Sequence, residues 1–263
     1  PPRSTLFPYT TLFRSAYRLC ERLGEGGFGV VYRAEQEEPV RRQVALKLVK
    51  PGMDTRRVMA RFQTERQAVA LMDHPCIARV LDAGATPQGR PYFVMELVAG
   101  EPITRFCDRE RLDLEARLQL FLRLCAAVQH AHQKGIIHRD LKPSNVLVAV
   151  PHAGDAPLPK IIDFGIAKAL TPELGCGSGA TRSWELLGTP PYMSPEQARG
   201  NGDAVDTRAD IYALGVLLHE LLTGGAPFAE AAASMDSVRR RILEEEALRP
   251  SVFVRGLPGG EAA

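Results

Sequence analysis

The chain has 263 residues, of which 45% are hydrophobic and 24% are charged, and its formal net charge is +2. This composition fits a soluble globular chain that is long enough for two lobes, each with its own core. The small net charge gives no indication of nucleic-acid or membrane binding. The five cysteines are an odd number without close pairing, which indicates reduced thiols in a cytosolic compartment and no zinc site.

The first residues differ in character from the rest. The segment from Thr5 to Ser15 resembles the in-frame translation of a widely used sequencing-library adapter. We therefore interpret residues 1–15 as a non-native leader that is not part of the folded domain. A flexible native leader is the alternative.

A glycine-rich turn follows between two predicted strands, Tyr17 to Leu23 and Val30 to Gln36. The turn contains Gly24, Gly26, Gly27 and Gly29. Glycines allow backbone N–H groups to approach phosphates without a Cβ in the way. Similar glycine spacing in dinucleotide-binding domains opens a helix, but Val30-Val31-Tyr32 predicts a strand. A hairpin that covers a nucleotide is therefore favoured.

The next two elements each contain a charged residue that matters for phosphate binding. Val44-Ala45-Leu46-Lys47 is an apolar strand that ends in a cation, and a helix is predicted from about Thr55 to Met72 with Glu65 on it. Taken alone, Lys47 reads as a solvated strand-edge residue and Glu65 as a residue on a solvent-facing helix surface. Together with the hairpin, they predict an ion pair that binds phosphate.

Three helices are predicted in the second half of the chain. The helix from Leu114 to Lys134 ends at Gly135 and places its apolar face at Leu114, Leu118, Phe121, Leu122, Cys125 and Val128. The helix from Asp206 to Thr223 is apolar on most sides and is expected to be buried. Its apolar run is interrupted by His219 and Glu220, well short of the ~20 residues of a membrane span. On a helix around Ser234 to Ala247, Arg239 to Arg241 are expected to pair with Glu244 to Glu246 at i,i+4 spacing.

The chemistry is concentrated between residues 138 and 165. His138-Arg139-Asp140-Leu141-Lys142-Pro143-Ser144-Asn145 is followed by Asp163-Phe164-Gly165. A carboxylate at Asp140 can accept a proton from an attacking hydroxyl, while Asn145 and Asp163 offer oxygen ligands to Mg²⁺ on nucleotide phosphates. His138 is expected to be a packed structural residue. An isolated Asp is most often a cap or turn residue, so the prediction depends on the order of these motifs.

In combination, these motifs resemble those of bacterial eukaryotic-type Ser/Thr protein kinases, from about Tyr17 to Ser251. A further motif, Gly188-Thr189-Pro190-x-Tyr192-Met193-Ser194-Pro195-Glu196, completes the match. The resemblance implies an α+β, two-lobed protein-kinase-like fold. Residues 16–98 would form an N-lobe with a small antiparallel sheet and one helix, and residues 99–263 a mainly helical, incomplete C-lobe. That C-lobe would lack its last two helices, whose linking loop normally supplies an arginine to Glu196.

The resemblance also implies the role of each site residue. Lys47 would hold the α- and β-phosphates and pair with Glu65, Asp140 would be the catalytic base, and Lys142 would contact the γ-phosphate. Asn145 and Asp163 would hold Mg²⁺, with Mn²⁺ as a substitute, and Asp210 would brace the catalytic loop. Thr189 together with Lys142 is typical of Ser/Thr specificity. The adenine pocket would have Val31 and Ala45 as its roof, Leu147 as its floor, Met95 as gatekeeper and Glu96 to Val98 as hinge, although core packing explains the apolar members equally well.

By the same resemblance the cofactors are ATP and Mg²⁺, the partner is a protein substrate, and no nucleic acid is bound. The segment itself would not contact a membrane and would be cytoplasmic, although full-length relatives often carry a membrane anchor and C-terminal repeat domains. Because Arg139 precedes Asp140, Thr181 and Ser183 are candidate regulatory phosphosites. The main alternative is a catalytically silent, truncated domain that binds nucleotide or acts as a scaffold. A small-molecule kinase of the aminoglycoside type is disfavoured by Gly188-Thr189-Pro190.

Overall fold

The computed structural model describes residues 17–26, 29–50, 72–152, 154–164, 190–200, 205–228 and 234–256. The chain divides into two compact units. The first contains Pro1–Asp73 and Ala78–Val98, and the second contains His74–Ile77 and Ala99–Ala263.

The first unit contains an antiparallel five-stranded sheet with the strand order β1-β2-β3-β5-β4. Its strands are β1 Tyr17–Glu25, β2 Gly29–Gln36, β3 Arg42–Val49, β4 Val80–Ala85 and β5 Pro91–Glu96. The predicted hairpin and the predicted Val44 to Lys47 strand are both present. The central strand β3 is buried from Val44 to Val49, because it pairs with β2 on one side and β5 on the other.

The second unit combines a small sheet with helices. The sheet has the order β6-β7-β8, with β6 Glu101–Pro102, β7 Val146–Ala149 and β8 Leu158–Ile161. The α-helices are α1 Ile103–Arg109, α2 Leu114–Gln133, α3 Pro195–Ala198, α4 Thr207–Thr223, α5 Met235–Glu244 and α6 Pro250–Gly256. Two short 3-10 helices span Pro143–Asn145 and Pro190–Tyr192.

Side-chain caps fix where the long helices begin. Asp113 accepts a hydrogen bond from the N–H of Ala116 at the start of α2, and Asp206 accepts one from Arg208 at the start of α4. Gly224 follows α4 with a φ of 80°, a left-handed conformation that glycine adopts without steric cost. The predicted helices at Leu114 to Lys134 and Asp206 to Thr223 are thereby confirmed to within one residue at each end.

The predicted apolar face of α2 was largely wrong. Leu114 and Leu122 are 59% and 58% exposed, and Leu118, Phe121 and Cys125 are only partly buried. The buried residues are instead Leu120, Leu124, Ala127, Val128 and Ala131. The helix has apolar residues on more than one side, and its packing partners determine which side is buried, so periodicity alone predicted the wrong side.

The end of the second unit also differs in part from expectation. Among the expected pairs on α5, Arg241 forms an ion pair with Glu245, whereas Arg239 donates to the carbonyl of Ala198. Helix α6 was not anticipated. Its Phe253 packs edge-to-face on His219 of α4, with ring centroids 4.9 Å apart, which gives this short helix an apolar anchor.

The predicted helix from Thr55 to Met72 lies outside the described residues, apart from Met72. Met72 is buried and is not part of a helix. Among the helices that the structure does describe, none is long and apolar enough to span a membrane.

Candidate active site

The glycine-rich turn is closed by its own backbone. The N–H of Gly26 donates to the carbonyl of Gly29 across 2.9 Å. A Cβ built on Gly29 would lie 2.5 Å from the carbonyl oxygen of Leu48, so β2 can approach β3 this closely only with glycine. At Gly24 and Gly26 a Cβ would meet no atom of the described residues within 4 Å. Sheet packing therefore requires Gly29, whereas the open space around Gly24 and Gly26 fits a role in binding a ligand. Gly27 lies outside the described residues.

Lys47 lies in the middle of the sheet, not at a solvated edge. It is paired in register with Val31 of β2 and Phe93 of β5, and only 7% of it is exposed. Burying an ammonium group is costly unless the charge has a function or a partner, so this position argues against the solvated alternative. Glu65, its expected partner, lies outside the described residues.

The predicted adenine-pocket residues of the first unit lie on neighbouring strands. Ala45 and Met95 are in register across β3 and β5 and are both buried, and Val31 on β2 is half-buried. Strand β5 ends at Glu96, and Val98 is half-buried two residues later. The N–H of Glu96 already donates to the carbonyl of Arg79 across 2.9 Å, so this hinge donor is engaged within the unit.

In the second unit, the predicted base Asp140 is in direct contact with Lys142 and with the predicted metal ligand Asn145. The Nζ of Lys142 lies 3.0 Å from Oδ2 of Asp140. The amide nitrogen of Asn145 donates to the backbone carbonyl of Asp140 at 2.7 Å and to Oδ2 at 3.2 Å. Both donors thus meet the same carboxylate oxygen and fix the orientation of the Asp140 side chain. Leu147 follows on β7 and is half-buried.

A buried carboxylate near the start of α4 binds the backbone of the loop that contains Asp140. Asp210 is 1% exposed, and it accepts hydrogen bonds from the backbone N–H of His138 and of Arg139, each at 2.8 Å. Its Oδ2 also lies 2.8 Å from Nε2 of His132 on α2. The expected brace is therefore present in the geometry, and His132 is a member that the sequence reasoning missed. The signal available was a histidine six residues before His138 on the predicted helix.

His138 is a packed residue, as expected. It is 1% exposed, its Nδ1 accepts the N–H of Asp140 at 3.2 Å, and its Nε2 lies 2.9 Å from the carbonyl of Ile162. An imidazole that accepts at Nδ1 donates from Nε2, so this arrangement fits the neutral ring. Its edge meets the ring of Phe164 at a centroid distance of 4.8 Å. The catalytic loop is thus joined to the segment that contains Asp163.

Ile162, directly before Asp163, is hydrogen-bonded through both its N–H and its carbonyl. The N–H of Ile162 donates to the carbonyl of Asn145 at 2.9 Å, while its carbonyl faces His138. Asp163 has a φ of 64° and Arg139 a φ of 67°, left-handed values that are uncommon for residues other than glycine. Such conformations cost about 1–3 kcal/mol each and persist where the surroundings impose them, typically at functional sites.

Two candidate metal ligands follow from this arrangement. The amide nitrogen of Asn145 is used within the loop, which leaves the amide oxygen as the group that could bind a cation. With the carboxylate of Asp163, this gives hard oxygen donors of the kind that Mg²⁺ prefers. In the part of the chain that the structure describes, no three His, Cys, Asp or Glu side chains group together as a metal cluster.

The Ser194-Pro195-Glu196 motif starts α3 with a capping box. The Oγ of Ser194 accepts the N–H of Gln197, and Oε1 of Gln197 accepts the N–H of Ser194. One carboxylate oxygen of Glu196 is buried and has no hydrogen-bond partner among the described residues. Burial, together with the nearby charge of Glu196, raises the pKa of Tyr212 on α4.

The described cysteines Cys20, Cys76, Cys107 and Cys125 are all free thiols. Burial raises the pKa of Cys76, Cys107 and Cys125, which favours the unreactive thiol form. Thr189, Thr181 and Ser183 lie outside the described residues.

Comparisons with known proteins agree with the motifs. Residues 17–251 match the model of the protein kinase domain. The chain is 39% identical over 231 residues to the serine/threonine-protein kinase pkn3 of Myxococcus xanthus, covering 87% of this chain and 41% of that protein. It is 43% identical to the DNA damage-responsive serine/threonine-protein kinase RqkA of Deinococcus radiodurans, covering 83% of this chain and 31% of that protein.

A third relative is the serine/threonine-protein kinase PknB of Mycobacterium tuberculosis, which is 37% identical over 92% of this chain and 37% of that protein. The chain therefore spans about two fifths or less of the length of these relatives. Among solved structures, the PknI kinase domain of Mycobacterium tuberculosis is similar, with a TM-score of 0.65 and 27% identity over 92% of this chain and 83% of that one. The chain belongs to the protein kinase domain family, among the bacterial eukaryotic-type serine/threonine kinases.

Proposed function

We propose that the protein transfers the γ-phosphoryl group of ATP to serine or threonine hydroxyls of protein substrates, as part of bacterial signalling. The proposal rests on the contacts of Lys142 and Asn145 with the Asp140 carboxylate. The backbone of the same loop is bound by the buried carboxylate of Asp210. Phosphoryl transfer depends mainly on positioning and charge stabilisation, and a loop held by buried hydrogen bonds supplies the first of these.

In the proposed reaction, the substrate hydroxyl oxygen bonds to the γ-phosphorus as the bond to the β,γ-bridging oxygen breaks, and ADP leaves. The hydroxyl proton moves to Asp140. Because Lys142 and Asn145 both contact Oδ2, we assign the proton to Oδ1. Lys142 would then exchange its contact with Asp140 for one with the γ-phosphate, and Lys47 would bind the α- and β-phosphates.

The nucleotide and metal assignments rest on donor chemistry. Protein kinases use ATP with a divalent cation, and we assign Mg²⁺, with Mn²⁺ as a substitute, to the oxygens of Asn145 and Asp163. When bound, the cation neutralises charge on the transferred phosphoryl group. We assign adenine binding to Val31, Ala45, Met95, Leu147 and the hinge from Glu96 to Val98.

The experiment that tests this function measures transfer of ³²P from ATP to a generic protein substrate. Asp140→Asn should lower kcat by about 10²–10⁴ because a positioned base is lost, and Asp163→Asn should abolish Mg²⁺-dependent transfer. ATP binding by Asp140→Asn should persist, since the base does not hold the nucleotide. Asp155→Asn, an exposed residue of the β7–β8 loop, is the matched control.

Undiminished transfer by Asp140→Asn would refute the proposed base. ATP binding without transfer in the unmodified protein would favour the alternative of a silent nucleotide-binding or scaffold domain. Loss of transfer in Asp155→Asn would show that the assay reports folding, not chemistry.

Two residue assignments concern specificity and regulation. We assign Thr189 to the Ser/Thr-specific substrate platform, and Thr181 and Ser183 to regulatory phosphorylation that orders this segment through Arg139. Mass spectrometry of active protein should find phosphate on Thr181 or Ser183, and the double change Thr181→Ala with Ser183→Ala should lower activity. Full activity of the double variant would refute the switch. We further propose that the kinase domain acts in the cytoplasm on protein partners and binds no nucleic acid.

A further inference from the structure

Gln197 uses both ends of its side-chain amide. It is the third residue of α3, and its Oε1 accepts the N–H of Ser194 at 3.0 Å as part of the capping box. Its Nε2 donates to the backbone carbonyl of Arg139 at 2.8 Å. An amide oxygen can only accept and an amide nitrogen can only donate, so the cap fixes the amide orientation that reaches the loop.

The carbonyl that Gln197 binds belongs to the residue directly before Asp140. Arg139 has a left-handed φ of 67°, and its N–H is bound by Asp210. The peptide groups on both sides of this strained residue are therefore held, one by α4 and the other by α3. Without either hold, a non-glycine residue would tend to relax towards negative φ and turn the Asp140 backbone with it.

We propose that Gln197 is a positioning residue for phosphoryl transfer, because its amide nitrogen holds the Arg139 carbonyl and so sets the direction of the Asp140 carboxylate. This role rests on the proposed function of Asp140 as the base. It also connects α3, which begins within the motif from Gly188 to Glu196, to the catalytic loop, so that a shift of α3 would be transmitted to the base. The simpler alternative is that Gln197 only caps α3.

Two substitutions separate these roles. Gln197→Glu keeps an oxygen that can accept the Ser194 N–H, but it replaces the donor to Arg139 with a carboxylate oxygen facing a carbonyl. Ser194→Ala removes the Oγ of the cap and leaves the Gln197 donor in place. A positioning role predicts that Gln197→Glu lowers kcat by about tenfold or more, since small misplacements of a reacting group are costly. KM for ATP should stay within about twofold of the unmodified value, as expected for an interaction that acts on the chemical step. Ser194→Ala should retain most of kcat.

A second measurement does not depend on activity. Amide hydrogen exchange in the segment from His138 to Leu141 should accelerate in Gln197→Glu and remain unchanged in Ser194→Ala, while protection of α4 stays constant in both. Faster exchange in Gln197→Glu would support the positioning contact even if Asp140→Asn proved active and the proposed base failed. If Gln197→Glu matches the unmodified protein in both kcat and exchange, or if Ser194→Ala produces the same changes, the positioning role is wrong.

Discussion

The catalytic loop and the glycine-rich hairpin are stabilised in different ways. The loop from His138 to Asn145 is held by backbone hydrogen bonds donated to the buried carboxylate of Asp210, by a part-buried hydrogen bond from the Gln197 amide, and by its own side chains. On the hairpin, strands β1 and β2 carry the exposed ion pairs Arg18–Glu35, Arg22–Glu25 and Arg33–Glu21, and Glu25 also pairs with Lys50.

These two kinds of interaction respond differently to their surroundings. Exposed ion pairs are screened by salt and contribute little to stability, whereas a buried group that loses its partner is strongly destabilising. The Arg18 guanidinium lowers the pKa of Glu35, and Lys50 lowers the pKa of Glu25, but both carboxylates are solvent-exposed. The loop is therefore expected to keep its geometry when salt or charge changes, whereas the hairpin is expected to respond to both.

The largest expected effect is at Asp210. Asp210→Ala would leave the N–H groups of His138 and Arg139 without their buried acceptor, and we expect a loss of about 3–5 kcal/mol in the free energy of unfolding. Chemical denaturation monitored by circular dichroism measures this. Asp236→Ala, in the exposed first turn of α5, is the control and should change stability little. An equal effect of the two changes would mean that the buried network does not hold the loop.

Two leucines on α2 test which side of this helix is packed in the core. Leu124 is fully buried and Leu122 is 58% exposed, although they are two residues apart. Leu124→Ala should cost about 2–5 kcal/mol because it leaves a cavity, and Leu122→Ala should be nearly neutral. Urea denaturation of both variants distinguishes them. A larger loss of stability in Leu122→Ala than in Leu124→Ala would support the apolar face that periodicity alone predicts.

In the hairpin, alanine substitutions at two glycines are expected to have smaller effects on stability, and the two effects should differ. Gly29→Ala would drive a Cβ against the Leu48 carbonyl and should cost about 1–3 kcal/mol. At Gly24 an added Cβ meets open space, so Gly24→Ala should leave stability in the absence of nucleotide almost unchanged. Thermal melting without ATP makes the comparison. A Gly24→Ala variant that melts as low as Gly29→Ala would show that the turn itself is more constrained than its packing indicates.

The sequence was sufficient to predict strands β1 to β3, helices α2, α4 and α5, and the order of the catalytic motifs. Gly29, Lys47, Asp140 and Asn145 each belong to a short local pattern with a clear chemical purpose. What the sequence could not provide were contacts between distant positions. Gln197 and Arg139 are 58 residues apart and His132 and Asp210 are 78 apart, so no local pattern indicates that they meet.

The prediction of the buried side of α2 failed for a related reason. Leu120 and Leu124 are no more apolar than Leu118 and Leu122, and only the neighbouring elements determine which pair is covered. Arg117 illustrates such a constraint, since it donates to the carbonyl of Leu221 on α4 and pairs with Asp108 on α1, which fixes the rotation of α2.

The catalytic loop is thus held by buried and part-buried hydrogen bonds, whereas the hairpin adds exposed ion pairs to its backbone hydrogen-bond ladder. The most direct test is amide hydrogen exchange at low salt and at about 1 M NaCl, where the screening length falls to about 3 Å. Exchange in residues 17–26 and 29–36 should accelerate slightly with salt, because screening removes the small contribution of the exposed ion pairs, and exchange in residues 138–146 should not change. Equal acceleration in both regions, or a response confined to the catalytic loop, would show that the two regions are not stabilised differently.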